Sequence, residues 1–154
     1  MKDIKKIIIG SDHAGFVLKE KIRAYLQDKG LKVEDAGTYS KERCDYPGFA
    51  CLVAKGVSTG KFPRGILVCK SGIGNSIVAN KLRGVRAALC YNVAAARLSS
   101  QHNDSNILVL GSAFVNTALA KRITGMWLKA EFQGGRHQRR LNQIKKIEER
   151  AGCR

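Results

Sequence analysis

A short apolar run joins a helical pattern through a glycine loop near the middle of the chain, and this segment constrains the fold most strongly. The run Ile66–Val68 favours a β-strand, Gly72 and Gly74 allow a tight turn, and helical spacing continues from about Ile73 to Leu82. A helix that starts after such a loop presents unpaired N–H groups and the positive end of its dipole, which together bind anions. The segment therefore predicts an α/β fold with an anion site at this loop.

Strand and helix patterns alternate along the whole chain. Apolar β-favouring runs lie at 4–9, 31–35, 66–68, 85–90 and 107–110. Helical spacing occurs at about 16–29, 49–56, 73–82, 92–100 and 116–130, and in a last segment that ends near 150. This order predicts a single domain over 1–154, with a Rossmann-like, doubly wound, mostly parallel five-stranded sheet and helices on both faces. The turn after the first strand lacks G-x-G-x-x-G, so a dinucleotide fingerprint is absent.

Composition and cysteine usage predict a cytoplasmic protein. No run approaches the roughly 20 apolar residues that span a bilayer, and the polar, basic start at 1–6 does not resemble a secretory signal. The five cysteines are odd in number and form no C-x-x-C pair. This pattern argues against a disulfide framework or a zinc site, and it favours a reducing compartment.

The net charge of +16 favours anionic partners such as phosphorylated metabolites. The basic residues become dense only after Arg136, and no aromatic residues are interleaved with them. The basic segment therefore lacks aromatic side chains on which bases could stack, and we expect no specific nucleic-acid binding.

The central loop carries candidate chemistry at Cys69, Lys70 and Ser71. A thiol beside a helix N-terminus and a cation is expected to have a lowered pKa, so that Cys69 would serve as a base or nucleophile. The alternative is a buried small side chain at a strand end, with glycines that only make the turn.

A carboxylate and an imidazole, Asp12 and His13, follow the first strand. They would stand at the carboxyl edge of the sheet, where ligands bind in open parallel sheets. The alternative for Asp12 is a helix N-cap. Tyr46 precedes Pro47, which is well placed in the first turn of a helix.

The other two histidines also lie in polar surroundings. His102 is flanked by side chains able to hold one imidazole tautomer, and the alternative for the segment 101–104 is a polar turn that caps the fifth strand. His137 lies among Arg136, Arg139 and Arg140, which suit bidentate phosphate contacts or a solvated helix face.

The last helix is strongly basic and carries a narrow apolar stripe of Leu141, Ile144 and Ile147 after a Gly-Gly break. Such a helix packs on a partner more often than on its own core. We therefore expect a homodimer in which the segment 134–154 reaches across to the partner subunit.

Five motifs, in order, resemble those of the ribose-5-phosphate isomerase B family, a relative of the galactose-6-phosphate isomerase subunits, over about 7–150. They are Gly10-Ser11-Asp12-His13-Ala14-Gly15, Asp45-Tyr46-Pro47, Cys69-Lys70-Ser71-Gly72-Ile73-Gly74, Ser100-Gln101-His102-Asn103-Asp104 and Glu131-Phe132-Gln133-Gly134-Gly135-Arg136-His137. The resemblance implies a metal-free, cofactor-free interconversion of D-ribose 5-phosphate and D-ribulose 5-phosphate through a cis-enediolate. It also implies an active site between two subunits of a homodimer or of a dimer of dimers.

The resemblance also implies roles for individual residues. In the cysteine branch of the family, the thiol that matches Cys69 carries the proton between C2 and C1. A second branch uses a glutamate at the position of Asn75, and since asparagine is not a base, the resemblance places this chain in the cysteine branch. His102 would open the furanose ring, and Ser71 with the N–H groups up to Gly74 would stabilise the enediolate. The implied substrate-binding set is Asp12, His13, Tyr46, Lys70, Gly72, Ile73, Gly74, Asn103, Arg136, His137 and Arg140.

Two departures from the family pattern concern the substrate. Lys70 stands where glycine is usual, and Ala113 stands where an arginine is common. We therefore keep two alternatives, an isomerase of another phosphosugar such as allose 6-phosphate and a non-catalytic phosphosugar-binding protein. A cysteine phosphatase is disfavoured, since the sixth residue after Cys69 is Asn75 rather than the arginine of C-x5-R-S.

Overall fold

The computed structural model describes residues 5–152, which form one five-stranded sheet and six helices. The strands are Lys6–Ser11 (β1), Lys32–Asp35 (β2), Gly65–Cys69 (β3), Ala87–Leu89 (β4) and Ile107–Gly111 (β5). The helices are Phe16–Asp28 (α1), Tyr46–Ser58 (α2), Ile73–Ala79 (α3), Val93–Asn103 (α4), Thr117–Lys129 (α5) and Arg136–Ala151 (α6). The sheet order is β2-β1-β3-β5-β4, and every pairing between these strands is parallel. The predicted fold class is confirmed, and the sheet is fully parallel rather than mostly so.

Alternating side chains of the sheet divide the core into two apolar layers. Ile7 and Ile9 pack with the layer that carries α1, α4 and α5, including the fully buried Trp127. Ile8 points the other way, into the layer of α2 and α3. Leu67 belongs to this second layer, so Cys69, two residues further along β3, faces α3.

Local signals set several helix starts, and α2 begins at Tyr46 rather than at the predicted residue 49. Asn92 and Asn116 cap α4 and α5 by accepting the N–H groups of Ala95 and Leu119. Pro47 lies in the first turn of α2, where its missing N–H costs nothing.

Several predicted bounds move. The strand predicted at 4–9 runs instead over β1, and residue 4 lies outside the described part of the chain. β4 is shorter than 85–90 because the N–H of Val85 bonds to Leu82 and that of Arg86 bonds to the Asn106 side chain. The predicted polar turn at 101–104 is wrong, since α4 continues through Asn103 and ends where Asp104 adopts a left-handed φ of 43°.

The last helix, α6, contacts its own chain at both ends. His137 is buried in its first turn, and Glu148 accepts the N–H of Gly84 at 2.7 Å. Its apolar stripe is only partly covered, because Ile144 and Ile147 remain 50% and 66% exposed. Within residues 5–152, no helix has the length and apolar character needed to cross a bilayer.

Candidate active site

The carboxyl ends of the three central strands bring one group of predicted residues together. Ser11 of β1 pairs with Val68, and Cys69 pairs with Gly111 of β5. The following loops are tied across this edge, since Ser112 donates its N–H to the Cys69 carbonyl at 2.9 Å and its hydroxyl to the Ala14 carbonyl at 2.9 Å. We call the residues at this edge the thiol half-site. They are Asp12, His13, Tyr46, Cys69, Lys70, Ser71, Gly72, Ile73 and Gly74.

Cys69 is buried, with 4% of its surface exposed, and its Sγ accepts the N–H of Gly72 at 3.1 Å. Burial raises the pKa of the thiol, and this outweighs the lowering by the N–H groups of Gly72, Asn75 and Ser71. The nearby Asp12 carboxylate raises the pKa further. The predicted lowering of this pKa is therefore wrong, because the thiol is removed from water and the Lys70 side chain is exposed.

The glycine loop has the tight geometry that its sequence predicts. Gly72 adopts a left-handed φ of 84°. A Cβ atom at Gly74 would come within 2.5–2.7 Å of the Tyr46 side chain. The Tyr46 ring therefore packs directly against the loop backbone. Ser71 Oγ accepts the N–H of Ile73 at 3.2 Å, which turns the hydroxyl toward the start of α3.

Asp12 and His13 are both held by main-chain groups. Asp12 Oδ1 accepts the N–H of Gly15 at 2.9 Å, so the carboxylate orders the turn before α1, while Gly15 itself is the N-cap residue. The N–H of Cys44 donates to His13 Nδ1 at 3.2 Å. The Cys44 carbonyl oxygen also lies 3.1 Å from His13 Nδ1, so both main-chain groups of Cys44 hold this side of the ring.

A second group of predicted residues gathers where α4 ends and α6 begins. The rings of His102 and His137 stack with centroids 4.1 Å apart and an 8° angle between their planes. Burial lowers the pKa of His137, and the positive charge of His102, Arg136 and Arg140 lowers it further. We call this group the imidazole half-site. It consists of His102, Asn103, Arg136, His137 and Arg140.

The topology places the two half-sites at opposite ends of the strands, the thiol half-site at the carboxyl ends and the imidazole half-site at the amino ends. The chain leaves His102 and enters the beginning of β5, where the N–H of Gly65 donates to the Asn106 carbonyl at 2.9 Å. Cys69 lies beside Gly111, at the other end of the same strand. Four residue steps of strand correspond to about 13 Å. One chain therefore keeps the thiol and the His102 imidazole apart, although the sequence predicts both for one site.

One buried polar residue of this region was not predicted as a site residue. Asn75 is 1% exposed, and neither polar atom of its side chain has a hydrogen-bond partner in the described structure. The i, i+4 spacing of Asn75 and Ala79 on the inner face of α3 was the available sequence signal. Among residues 5–152, no group of three or more His, Cys, Asp or Glu side chains is arranged to hold a metal ion.

Two known proteins share half of their aligned sequence with this chain. Ribose-5-phosphate isomerase B of Escherichia coli strain K12 is 50% identical over 147 residues, which cover 96% of this chain and 99% of the relative. A structure of ribose-5-phosphate isomerase B from Clostridium thermocellum matches with a TM-score of 0.93 and 50% identity, covering 95% of this chain and 99% of the other.

A third protein adds a bound ligand. The crystal structure of ribose-5-phosphate isomerase B from Mycoplasma genitalium, which contains ribulose 5-phosphate, matches with a TM-score of 0.90 and 42% identity, covering 94% of this chain and 96% of the other. The family model described as Ribose/Galactose Isomerase matches residues 7–144. With nearly its whole length matched in sequence and in fold, the chain belongs to the ribose/galactose isomerase family.

Proposed function

We propose that the chain is an aldose–ketose isomerase that interconverts D-ribose 5-phosphate and D-ribulose 5-phosphate through a cis-enediolate. The observation that carries this proposal is the Cys69 thiol, which is held at the end of β3 against the N–H groups of a glycine loop. The similarity to ribose-5-phosphate isomerases, one with ribulose 5-phosphate bound, supports the substrate class.

Proton transfer is assigned to Cys69. The thiolate takes the proton from C2 and returns it to C1. Since burial raises the pKa of this thiol, the thiolate is a stronger base when it forms, at the cost of a smaller ionised fraction. The N–H groups at the start of α3 and the Ser71 hydroxyl are fixed donors for the charge that develops on the enediolate oxygens.

The remaining roles belong to groups that recognise the closed ring and the phosphate. His102 moves the proton that opens the furanose, while Asp12 and Asn103 bind sugar oxygens. The imidazole of His13 binds the phosphate, and exposed Arg136 and Arg140, one helical turn apart on α6, supply positive charge to it. His137 supports this group through its stack on His102.

A second copy of the chain completes the site. The two half-sites lie at opposite ends of the strands. Cys69 and His102 can therefore come together only when the Cys69 of one copy faces the His102 of another copy in an assembly. In a two-fold dimer this exchange makes two equivalent sites. The half-exposed stripe of Ile144 and Ile147 suits the proposed packing of the segment 134–154 on the partner. A dimer, or a dimer of such dimers, satisfies this arrangement.

A reducing, cytoplasmic setting fits this chemistry. Cys44, Cys51, Cys69 and Cys90 are all free thiols, and the base must remain reduced to act. The high positive charge is assigned to attraction of phosphorylated substrates rather than to nucleic acid or a membrane surface.

The test of the proposal is turnover by the wild-type protein on a panel of phosphorylated sugars. We expect the highest kcat/KM with ribose 5-phosphate and lower values with allose 6-phosphate and other 6-phosphate sugars. A preference for a 6-phosphate sugar would keep the reaction and replace the substrate. Binding of every sugar without turnover would identify a phosphosugar-binding protein instead.

Lys70 is the proposed replacement for the missing arginine at position 113. The two positions are adjacent, because the N–H of Ala113 donates to the Lys70 carbonyl at 2.9 Å. Replacing Lys70 with methionine should raise KM for ribose 5-phosphate by about 5–10-fold and leave kcat nearly unchanged, since an exposed cation contributes modestly and mainly to binding. Lys70→Arg is the control that keeps the charge. An increase in kcat/KM for Lys70→Gly would contradict the role.

A further inference from the structure

Asn75 carries a buried carboxamide that the rest of the described chain leaves unpaired. Its side chain is 1% exposed, and both Oδ1 and Nδ2 lack a hydrogen-bond partner among the described residues. A buried amide without partners carries the full cost of losing its water, and native structures rarely retain one without a reason. A ligand that supplies both an acceptor and a donor would remove that cost.

The position of Asn75 relates this amide to the reacting thiol. Its main-chain N–H is one of the three that act on the Cys69 thiol. Leu67 and Ala79 belong to the apolar layer of α2 and α3, and by strand and helix spacing Cys69 and Asn75 share their faces. Asn75 is on the inner face of α3, one turn before the buried Ala79. Cys69 is nearly as buried as Asn75. Because the Asn75 N–H acts on the thiol, the Asn75 side chain starts from a Cα close to Sγ, and we expect a substrate that reaches Sγ to come close to the carboxamide.

We infer that Asn75 is a further catalytic residue, whose carboxamide binds O1 and O2 of the open-chain sugar; this inference rests on the proposed function. An aldose presents a carbonyl acceptor at O1 and a hydroxyl donor at O2, side by side. The carboxamide offers the complementary pair, with Nδ2–H donating to O1 and Oδ1 accepting from the O2 hydroxyl. A carboxylate offers two acceptors, and an aliphatic side chain offers neither.

The reaction uses this pair as follows. The Cys69 thiolate takes the proton from C2, the C–H electron pair forms the C1=C2 double bond, and the former C1=O1 π pair becomes charge on O1. The Nδ2–H donor stabilises that charge. The O2 hydroxyl proton then moves to O1, the O2 pair forms C2=O2, and the thiol returns its proton to C1. All atoms are conserved, and the thiolate is regenerated.

The decisive variant is Asn75→Leu, which keeps the size of the side chain and removes both polar atoms. We expect its melting temperature to rise by about 2–4 °C, because an unpaired buried amide is removed. We expect kcat for ribose 5-phosphate to fall by about 10²-fold, the usual effect of losing one oxyanion donor. With substrate deuterated at C2, the isotope effect on kcat should increase, because proton transfer becomes slower than the other steps.

The matched control is Thr124→Val in α5. Thr124 is also fully buried with an unpartnered Oγ1, and it packs in a helix on the other side of the sheet from α3. This variant should gain stability without losing kcat, so a gain in stability alone is not evidence for a role in catalysis.

The variant Asn75→Asp provides a second test if Asn75→Leu does not fold. It keeps the shape and removes the donor, and its charge should shift the acid limb of the kcat/KM profile to higher pH by raising the pKa of Cys69. Wild-type kcat in any folded Asn75 variant, or a fall in kcat with an unchanged isotope effect, overturns the inference. Absence of turnover by the wild-type protein is a different result, which contradicts the proposed function itself.

Discussion

Replacing Cys69 with alanine should lower kcat for ribose 5-phosphate by about 10³-fold or more, because the variant has no group at the end of β3 that can carry the C2 proton. KM should change little, since the phosphate contacts come from other residues. The measurement is steady-state turnover in both directions, with circular dichroism to confirm that the variant is folded. Cys69→Ser should be nearly as inactive, because a hydroxyl does not ionise in the working pH range.

Cys90 offers a matched control for this result. It is also buried, lies in the apolar layer of α1, α4 and α5, and has a pKa raised by burial to about 11. Cys90→Ala should therefore retain kcat and lose only some stability. An inactive Cys90→Ala with an active Cys69→Ala would reverse the assignment of the base.

The same thiol determines how the reaction depends on pH. The active form is the thiolate, and burial raises the pKa of Cys69 above its ordinary value. The ionised fraction, and with it kcat/KM, should increase with pH through the neutral range and continue to rise beyond the ordinary thiol pKa of about 8.5. An acid limb well below that value would show that the assembled site lowers the pKa again.

Two inactive variants should restore activity when they assemble together. Cys69→Ala and His102→Asn each remove one half of every site in their own assemblies. In a mixed dimer, one site carries both substitutions and the other carries neither, so the dimer should recover about half of the wild-type turnover. The measurement uses co-expression with two different affinity tags, tandem purification of the mixed dimer, and the ribose 5-phosphate assay.

Pairing Cys69→Ala with Ser71→Ala is the control for this complementation. Both residues belong to the thiol half-site, so the mixed dimer contains one damaged residue in each site and should stay well below half activity. No recovery with His102→Asn would mean that a single chain supplies both Cys69 and His102. The proposal of a shared site would then be wrong.

Periodicity and turn residues were sufficient to predict the sheet and its helices. The Ile66–Val68 run, the glycine loop and the alternation of elements are local signals, and the structure confirms the fold class drawn from them. Helix ends were harder, since the polar residues after Ser100 suit a turn as well as a last helical turn. The left-handed Asp104 decides between the two.

The candidate site depends more on burial and topology than on motifs. Cys69 has the neighbours that lower a thiol pKa, but a sequence does not state how much water its sulfur loses. His102 and Cys69 both lie in polar motifs, but only the direction of β5 shows that they lie at opposite ends of the strands. Asn75 was missed for the same reason, because its unpaired amide is a property of packing.

The separation of the two half-sites makes the activity depend on the concentration of the protein in the cell. If each site draws on two copies, a newly synthesised chain is chemically silent until it meets another, and at high dilution activity should grow faster than protein concentration. Synthesis and assembly are then successive controls on flux. A copy damaged in one half-site would still assemble, and it would inactivate one of the two sites of the dimer that it joins.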